Sequence, residues 1–472
     1  MSSTSIQPAR WVAYDVIRAV SDDDAYANLL LPKLIGEAGL NTADAALATE
    51  LAYGTLRRRG TYDAIIAEAA GRPVDEIDPP VLDALRLGAH QLLATRVAAH
   101  AAVNESVNLV AAEVGRGASG FANAVLRRIG RDDAHTWQQR IESMARSDDE
   151  RLALRTAHPV WVIRALRRSL DAEGRVDELE DLLHADNVSP EVTLAALPGL
   201  AEPGEPRRPY ARTAFASPGG DPREAIAHAS GTIRVQDEGS QLVALAVAAA
   251  APVRAGERWL DLCAGPGGKT AILAALALES GAQLEANEVV STRAGLVRGA
   301  VKPLPIDVPV HEQDGRELAA QHPSSFDRIL VDAPCTGLGA LRRRPEARWR
   351  KSPSDVPELV TLQTQLLDAA IDALAPGGIV AYATCSPHLA ETTGVVSEVL
   401  RRRGDVIELD ARAVMAEVAE APIDLAARGT DEPGALSAQL WPHRHGTDAM
   451  FLALLQRRTD QPDEPEQREG DQ

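Results

Sequence analysis

The sequence predicts a chain of three parts: an all-helical N-terminal domain, a small mixed α+β segment and a C-terminal α/β domain built on a parallel sheet. Apolar residues recur at three- and four-residue spacing between Arg10 and Ile129, the period of an amphipathic helix. After Gly231, short apolar runs alternate with helical segments, as expected of parallel strands joined by crossover helices. The length of 472 residues exceeds what one hydrophobic core usually organises.

Residues 1–130 form the helical part. Its segments are WVAYDVIRAV, ALATELAYGTL, VLDALRLGAHQLLA and VNESVNLVAAEV, broken at Gly71-Arg72-Pro73 and Asp78-Pro79-Pro80. Asp78 can cap a helix whose first turn holds both prolines, where a missing amide hydrogen costs nothing. Residues 131–235 comprise a linker and the small mixed domain. The stretch 131–150 is polar and reads as a connecting helix or linker. A helix over Val160 to Leu170 follows, and then a Pro/Gly-rich run, LPGLAEPGEPRRPYARTAFASPGGDP. Residues 236–456 carry the strands RWLDLC, QLEANE, VPVHEQ, FDRILVDA and IVAYATC. Residues 457–472 are polar and proline-containing, a disordered tail.

Composition narrows the function classes. Hydrophobic residues at 45% and charged residues at 25% are ordinary globular usage, and aromatics at 3% leave Ala, Leu and Val to fill the cores. MSSTSIQPAR has no basic stretch leading into an apolar one, and no apolar run of about 18 residues occurs. A cytoplasmic, monomeric protein without a membrane partner is expected. Three cysteines, Cys263, Cys335 and Cys385, are too few for a disulfide framework and include no C-x-x-C pair. No metal site is expected, and by count alone the cysteines would be small buried hydrophobes. The net charge of −19 speaks against a positively coated surface. Basic residues nevertheless cluster at Arg57–Arg59, at Arg127, Arg128 and Arg131, and most densely at Arg342, Arg343, Arg344, Arg348, Arg350 and Lys351. The last run reads as a phosphate-binding stretch.

Asp261 to Thr270 reads DLCAGPGGKT, a strand end passing through glycines into a helix. Cys263, Ala264, Gly265, Pro266, Gly267, Gly268 and Lys269 form the candidate cofactor loop. Glycines let the backbone approach a ligand, and the helix N-terminus offers free amide hydrogens. By itself the loop suits a dinucleotide equally well, or is a plain tight turn. Each later strand also ends in a chemically loaded residue: Glu288, then Asp314 beyond the third, Asp332 and Cys385. In a parallel sheet these ends share the edge where ligands bind. Glu288 can accept ribose hydroxyls, and Asp314 an adenine amino group.

Asp332 to Gly337 reads DAPCTG and Tyr382 to Pro387 reads YATCSP. These resemble the two cysteine motifs of the RsmB/Sun-type RNA cytosine-5 methyltransferases. DLCAGPGGKT is similar to that family's cofactor loop, RRRPEARW to its arginine-rich stretch, VQDEGSQLV to its entry helix and HGTDAMFLALL to its final strand. The helical region ending in FANAVLRRI resembles the NusB-like domain of the RsmB branch. Departures are VTLAALPGL, where an Arg-Val-Asn stretch is often found, and Gly265 and Asn287, where alanine and an apolar residue are expected.

The resemblance implies a Rossmann-like class I methyltransferase domain using S-adenosyl-L-methionine on RNA. It points to 16S ribosomal RNA and to an enzyme of the cytosine-967 type. It implies Cys385 as the nucleophile toward carbon-6 of cytosine, Cys335 as the assistant to product release and Asp332 as the partner of ring nitrogen-3. Such chemistry is needed because carbon-5 attacks a methyl sulfonium only after a thiolate has added at carbon-6. Arg342, Arg343 and Arg344 are the implied RNA contacts. Lys269 can favour a thiolate or balance loop charges, and carries no assigned catalytic role. Two rivals remain open: a nicotinamide-dependent oxidoreductase, and a non-enzymatic RNA-binding factor carried by the helical part.

Overall fold

The computed structural model describes residues 6–23, 25–219, 222–427 and 434–459. The chain divides into two compact units, one of Met1–Pro190 with Ala340–Pro353 and one of Glu191–Gly339 with Ser354–Gln472.

The first unit is helical among its described residues. Helices span Pro8–Asp22, Ala27–Glu37, Thr42–Arg57, Arg59–Ala70, Pro79–Ala94, Ala99–Glu113 and Arg116–Ile129. Prolines open two of them, at a position where the lost N–H had no partner to lose. Asp78 stands at the predicted cap position, but its side chain makes no capping hydrogen bond. Asn41 does cap, accepting from the Asp44 N–H at 3.0 Å. Val12, Ile17, Leu51, Ile66, Leu85 and Leu126 fill the core. At Gly88 a Cβ would lie 2.6 Å from the Leu126 side chain, so a larger residue there would have to displace that leucine.

Helical structure continues beyond residue 130 through Ala134–Glu142, Asp148–Thr156, Val160–Asp171 and Leu179–Ala185. Polar as it looks, the 131–150 stretch is anchored in the helical core. Trp137 is fully buried there with Ile141, and its indole N–H donates to the Ile129 carbonyl at 2.8 Å. The compact unit accordingly extends to Pro190.

The second unit starts with a three-stranded antiparallel sheet, β1 (Thr193–Ala196), β2 (Ala214–Ala216) and β3 (Ile233–Val235), ordered β2-β1-β3. VTLAALPGL thus supplies the central strand. The large sheet contains β4 (Arg258–Asp261), β5 (Gln283–Asn287), β6 (Val310–His311), β7 (Phe326–Asp332), β8 (Leu374–Thr384), β9 (Val406–Leu409), β10 (Ala438–Gln439) and β11 (Phe451–Arg457). Its order is β10-β11-β8-β7-β4-β5-β6, with β9 also paired to β11. The five strands β4 to β8 are parallel as expected, whereas β11 joins β8 antiparallel. The sheet is therefore mixed. Alternation along β8 sends Ala381 and Ala383 to one core and Val380 and Tyr382 to the other, the two-face burial of a sheet covered on both sides. Arg457, the first residue of the expected tail, still belongs to β11. Residues 460–472 lie outside the described residues. Among the described residues no helix is long and apolar enough to cross a membrane.

Candidate active site

Strand register places the cysteines side by side. β7 and β8 run parallel with Asp332 opposite Ala383, and β4 flanks β7 with Asp261 opposite Leu330. The loop holding Cys335 leaves the end of β7, and Cys385 directly follows β8. Neighbouring strands are about 4.8 Å apart, so segments leaving at one level meet. The two sulfurs are 3.5 Å apart, and both cysteines are partly buried.

Lys269, in the first turn of the helix Gly268–Ser280, completes the constellation. Its Nζ lies 2.7 Å from Asp332 Oδ2, with the lysine side chain nearly enclosed and the aspartate partly open. Burial disfavours the ammonium, but the charge of Asp332 and the hydrogen bond to it prevail, and the lysine pKa is raised. Cys385 acts on Lys269 in the same sense, so this ammonium sits where it favours negative charge on that sulfur. Cys335 is pushed well up by its hydrogen bond with Cys385, then by burial and by the charges of Cys385 and Glu391. These influences act against a thiolate at Cys335. Beneath them, burial lifts fully enclosed Asp261 to about 7 despite a 2.7 Å hydrogen bond from the Thr270 hydroxyl.

The glycine loop is shaped around Glu288, which is 4% exposed. Gly265 N–H donates to Glu288 Oε2 and Val290 N–H to Oε1, each at 3.0 Å. Arg293 donates to the Gly265 carbonyl at 2.6 Å. A Cβ on Gly265 would lie 2.1 Å from Glu288 Oε2, so alanine at this departure from the family pattern would have to displace that carboxylate. Gly267 takes φ 102°, a backbone state closed to most side chains. Asn287, the other departure, donates to the Leu262 and Gln313 carbonyls, both at 3.1 Å. It thus ties the end of β5 to the segments that follow β4 and β6. Gln236, 7% exposed, packs against Gly268, and neither side-chain amide atom has a partner. A buried orphan amide beside a helix N-terminus suits a polar ligand. Asp314 caps the helix Gly315–Gln321 through the Arg316 N–H. Hydrogen bonding to Arg316 holds its carboxyl below the usual range.

The structure therefore brings Asp332, Cys335, Cys385 and Lys269 together and pairs Glu288 with the loop at Gly265. Arg342, Arg343 and Arg344 belong to the helical unit. Arg342 is buried and its carbonyl accepts from Arg57 at 3.3 Å. Arg343 and Arg344 are partly exposed, and the Arg344 guanidinium stands over the Tyr26 ring. Sequence reading missed Glu391, fully buried, whose carboxylate accepts from Thr336 and Ser386, the residues directly following the two cysteines. One signal was present: a hydroxyl residue succeeds each cysteine. Nothing in SPHLAETTG marks the glutamate itself.

Known proteins resemble the chain over nearly its whole length. Residues 248–456 match the model of a family described as 16S rRNA methyltransferase RsmB/F, and residues 7–131 match the NusB family. A Mycobacterium tuberculosis protein named only as a methyltransferase is 48% identical over 96% of this chain and 97% of its own. Ribosomal RNA small subunit methyltransferase B of Pseudomonas putida is 34% identical over 85% of this chain and 91% of its own. The crystal structure of PH0851 shares the fold with a TM-score of 0.78 at 22% identity, covering 97% of this chain and 100% of that one. Combining the RsmB/F catalytic region with a NusB-type helical region and full-length relatives at this identity, the chain belongs to the RsmB/F methyltransferase family.

Proposed function

We propose that the protein methylates carbon-5 of a cytosine in RNA through a covalent Cys385–cytosine intermediate, with 16S ribosomal RNA as substrate and cytosine 967 as the expected position. The observation that carries this reading is the pair of sulfurs 3.5 Å apart beside the Lys269–Asp332 ion pair. Cys385, next to a buried ammonium, adds as thiolate to carbon-6. Asp332 relays to ring nitrogen-3, as charge develops there, the proton it receives from Lys269 across their hydrogen bond. Bound S-adenosylmethionine supplies the electrophilic methyl group. Once carbon-5 is methylated, its proton passes to the sulfur pair, the electron pair of that carbon–hydrogen bond re-forms the carbon-5–carbon-6 double bond as the Cys385–carbon-6 bond breaks, and nitrogen-3 returns its proton to Asp332. Cys335, kept as the thiol, can hand a proton to the departing sulfur.

The loop from Cys263 to Lys269 would hold the cofactor, with Glu288 toward the ribose, Asp314 toward the adenine and Asp332 beside the methyl donor. The unpartnered amide of Gln236 supports the fit of a polar ligand there. Arg343 and Arg344, with Arg342 supporting them from within, are the proposed phosphate contacts. The target base must be unpaired or flipped out, because a stacked base does not present carbon-6 to a thiol. The test is transfer of labelled methyl from S-adenosylmethionine to 16S RNA, followed by bisulfite mapping. Label in the RNA at a bisulfite-resistant cytosine is expected; label at another base or at nitrogen would sink the reading.

Glu288→Gln and Asp314→Ala should each weaken S-adenosylmethionine binding about ten- to a hundredfold, the loss of a hydrogen bond to a charged group at about 1.5–3 kcal/mol. RNA affinity should stay at the wild-type value. Calorimetric titration with the cofactor checks this, and wild-type affinity in both variants would remove these residues from the cofactor site.

A further inference from the structure

Resting on the two-cysteine reading above, we infer that Glu391 is a positioning residue that clamps the loop carrying Cys335 to the loop carrying Cys385. Glu391 lies on the short turn Leu389–Glu391 after β8 and is 0% exposed. Its Oε1 accepts from the Thr336 N–H at 2.8 Å and from the Gln363 amide at 3.1 Å. Its Oε2 accepts from the Thr336 hydroxyl at 2.5 Å and the Ser386 hydroxyl at 2.6 Å. The two hydroxyls are themselves 3.0 Å apart. Gln363, on the helix Val356–Ala373, also donates to the Pro334 carbonyl at 2.8 Å, so the residue before Cys335 is held by the same network. The clamp is anchored in turn, since the Tyr382 hydroxyl donates to the Glu391 carbonyl at 2.7 Å.

Burying a carboxylate is costly, and packing alone does not call for one. This carboxylate returns four hydrogen bonds, three to residues adjoining the cysteines and one to the glutamine that holds Pro334. Its charge has a second effect. The ionisable groups that bear on Cys335 are Cys385, Glu391 and Tyr382, with Lys269 and Asp332 on the Cys385 side. Glu391 acts there against a Cys335 thiolate, in keeping with a division of labour in which Cys385 attacks and Cys335 holds a proton. No apolar residue of the same volume would do both.

The experiment separates register from catalysis. Diamide joins two neighbouring thiols into a disulfide, taking up their two hydrogen atoms as it is reduced to the hydrazine. With sulfurs 3.5 Å apart, the full-length wild type should form the Cys335–Cys385 link readily, read as a linked peptide by mass spectrometry. Glu391→Ala should form it at least about tenfold more slowly and lose about a hundredfold in kcat, the cost of a misplacement near 1 Å. KM for cofactor and RNA should stay within about twofold, which a general loosening of the fold would not allow. Glu391→Gln keeps the size of the side chain and two acceptor contacts, so it should fold and fall between the two. Wild-type linking rates in both variants would overturn the clamp, and so would slowed linking with unchanged kcat. Because linking needs neither RNA nor cofactor, failure of the wild type to methylate cytosine would refute the functional reading while leaving this arm intact.

Discussion

Replacing Cys335 with alanine is expected to leave the protein covalently fastened to its RNA, while replacing Cys385 leaves no adduct at all. The two thiols are chemically identical, yet the proposed steps demand opposite failures. Without Cys385 no sulfur adds to carbon-6 and carbon-5 never becomes nucleophilic, so methylation should fall by several orders of magnitude, of the scale seen when an activated nucleophile is removed, about 10⁶. Without Cys335 the attack and methyl transfer proceed, but the departing sulfur lacks its proton source 3.5 Å away and elimination stalls. The trapped species should appear as a slow band on a denaturing gel, labelled by both RNA and methyl group. The double variant should show no such band. Normal turnover by Cys335→Ala, or an adduct persisting in Cys385→Ala, would exchange or abolish the assigned roles.

Arg348→Met is expected to destabilise the helical unit by about 3–5 kcal/mol, the cost of breaking a buried charged network from one side. The guanidinium is fully buried. It donates to Asn187 Oδ1 at 2.9 Å, to the Ala157 carbonyl at 3.1 Å, and to the Arg57 and Asp186 carbonyls at 3.3 Å. Burial lowers its pKa to about 10, with Asp186 opposing the shift. Methionine would fill part of the volume and leave four acceptors without their donor. Lysine should not rescue, because a point ammonium cannot span acceptors spread around a planar fork. Urea unfolding of the full-length protein reads the effect as a lowered midpoint. An unshifted midpoint would show that this buried network contributes no net stability.

That arginine illustrates where sequence reading stops. RRRPEARWRK looks like one basic face, and local sequence cannot tell Arg348 from Arg343. Both are arginines in a charged run; only the path of the chain puts one inside a cage of carbonyls and leaves the other partly exposed. The polar 131–150 stretch failed to announce its burial for a related reason. Trp137 and Ile141 are few among many charges, yet two apolar side chains suffice to seat a short helix on an existing core.

What the sequence determined by itself was whatever depends on periodicity and on residue type at a strand end: helices before residue 130, parallel strands after 236, the glycine loop and the two cysteine motifs. These are local signals, because side-chain period and backbone freedom act over a few residues. Tertiary structure alone decided what depends on neighbours distant in the chain. It set the 3.5 Å approach of sulfurs 50 residues apart and the enclosure of Glu391 between their loops. It also raised the Cys335 thiol above its ordinary range, since burial and nearby charge, which set the proton's preference, exist only once the strands have paired.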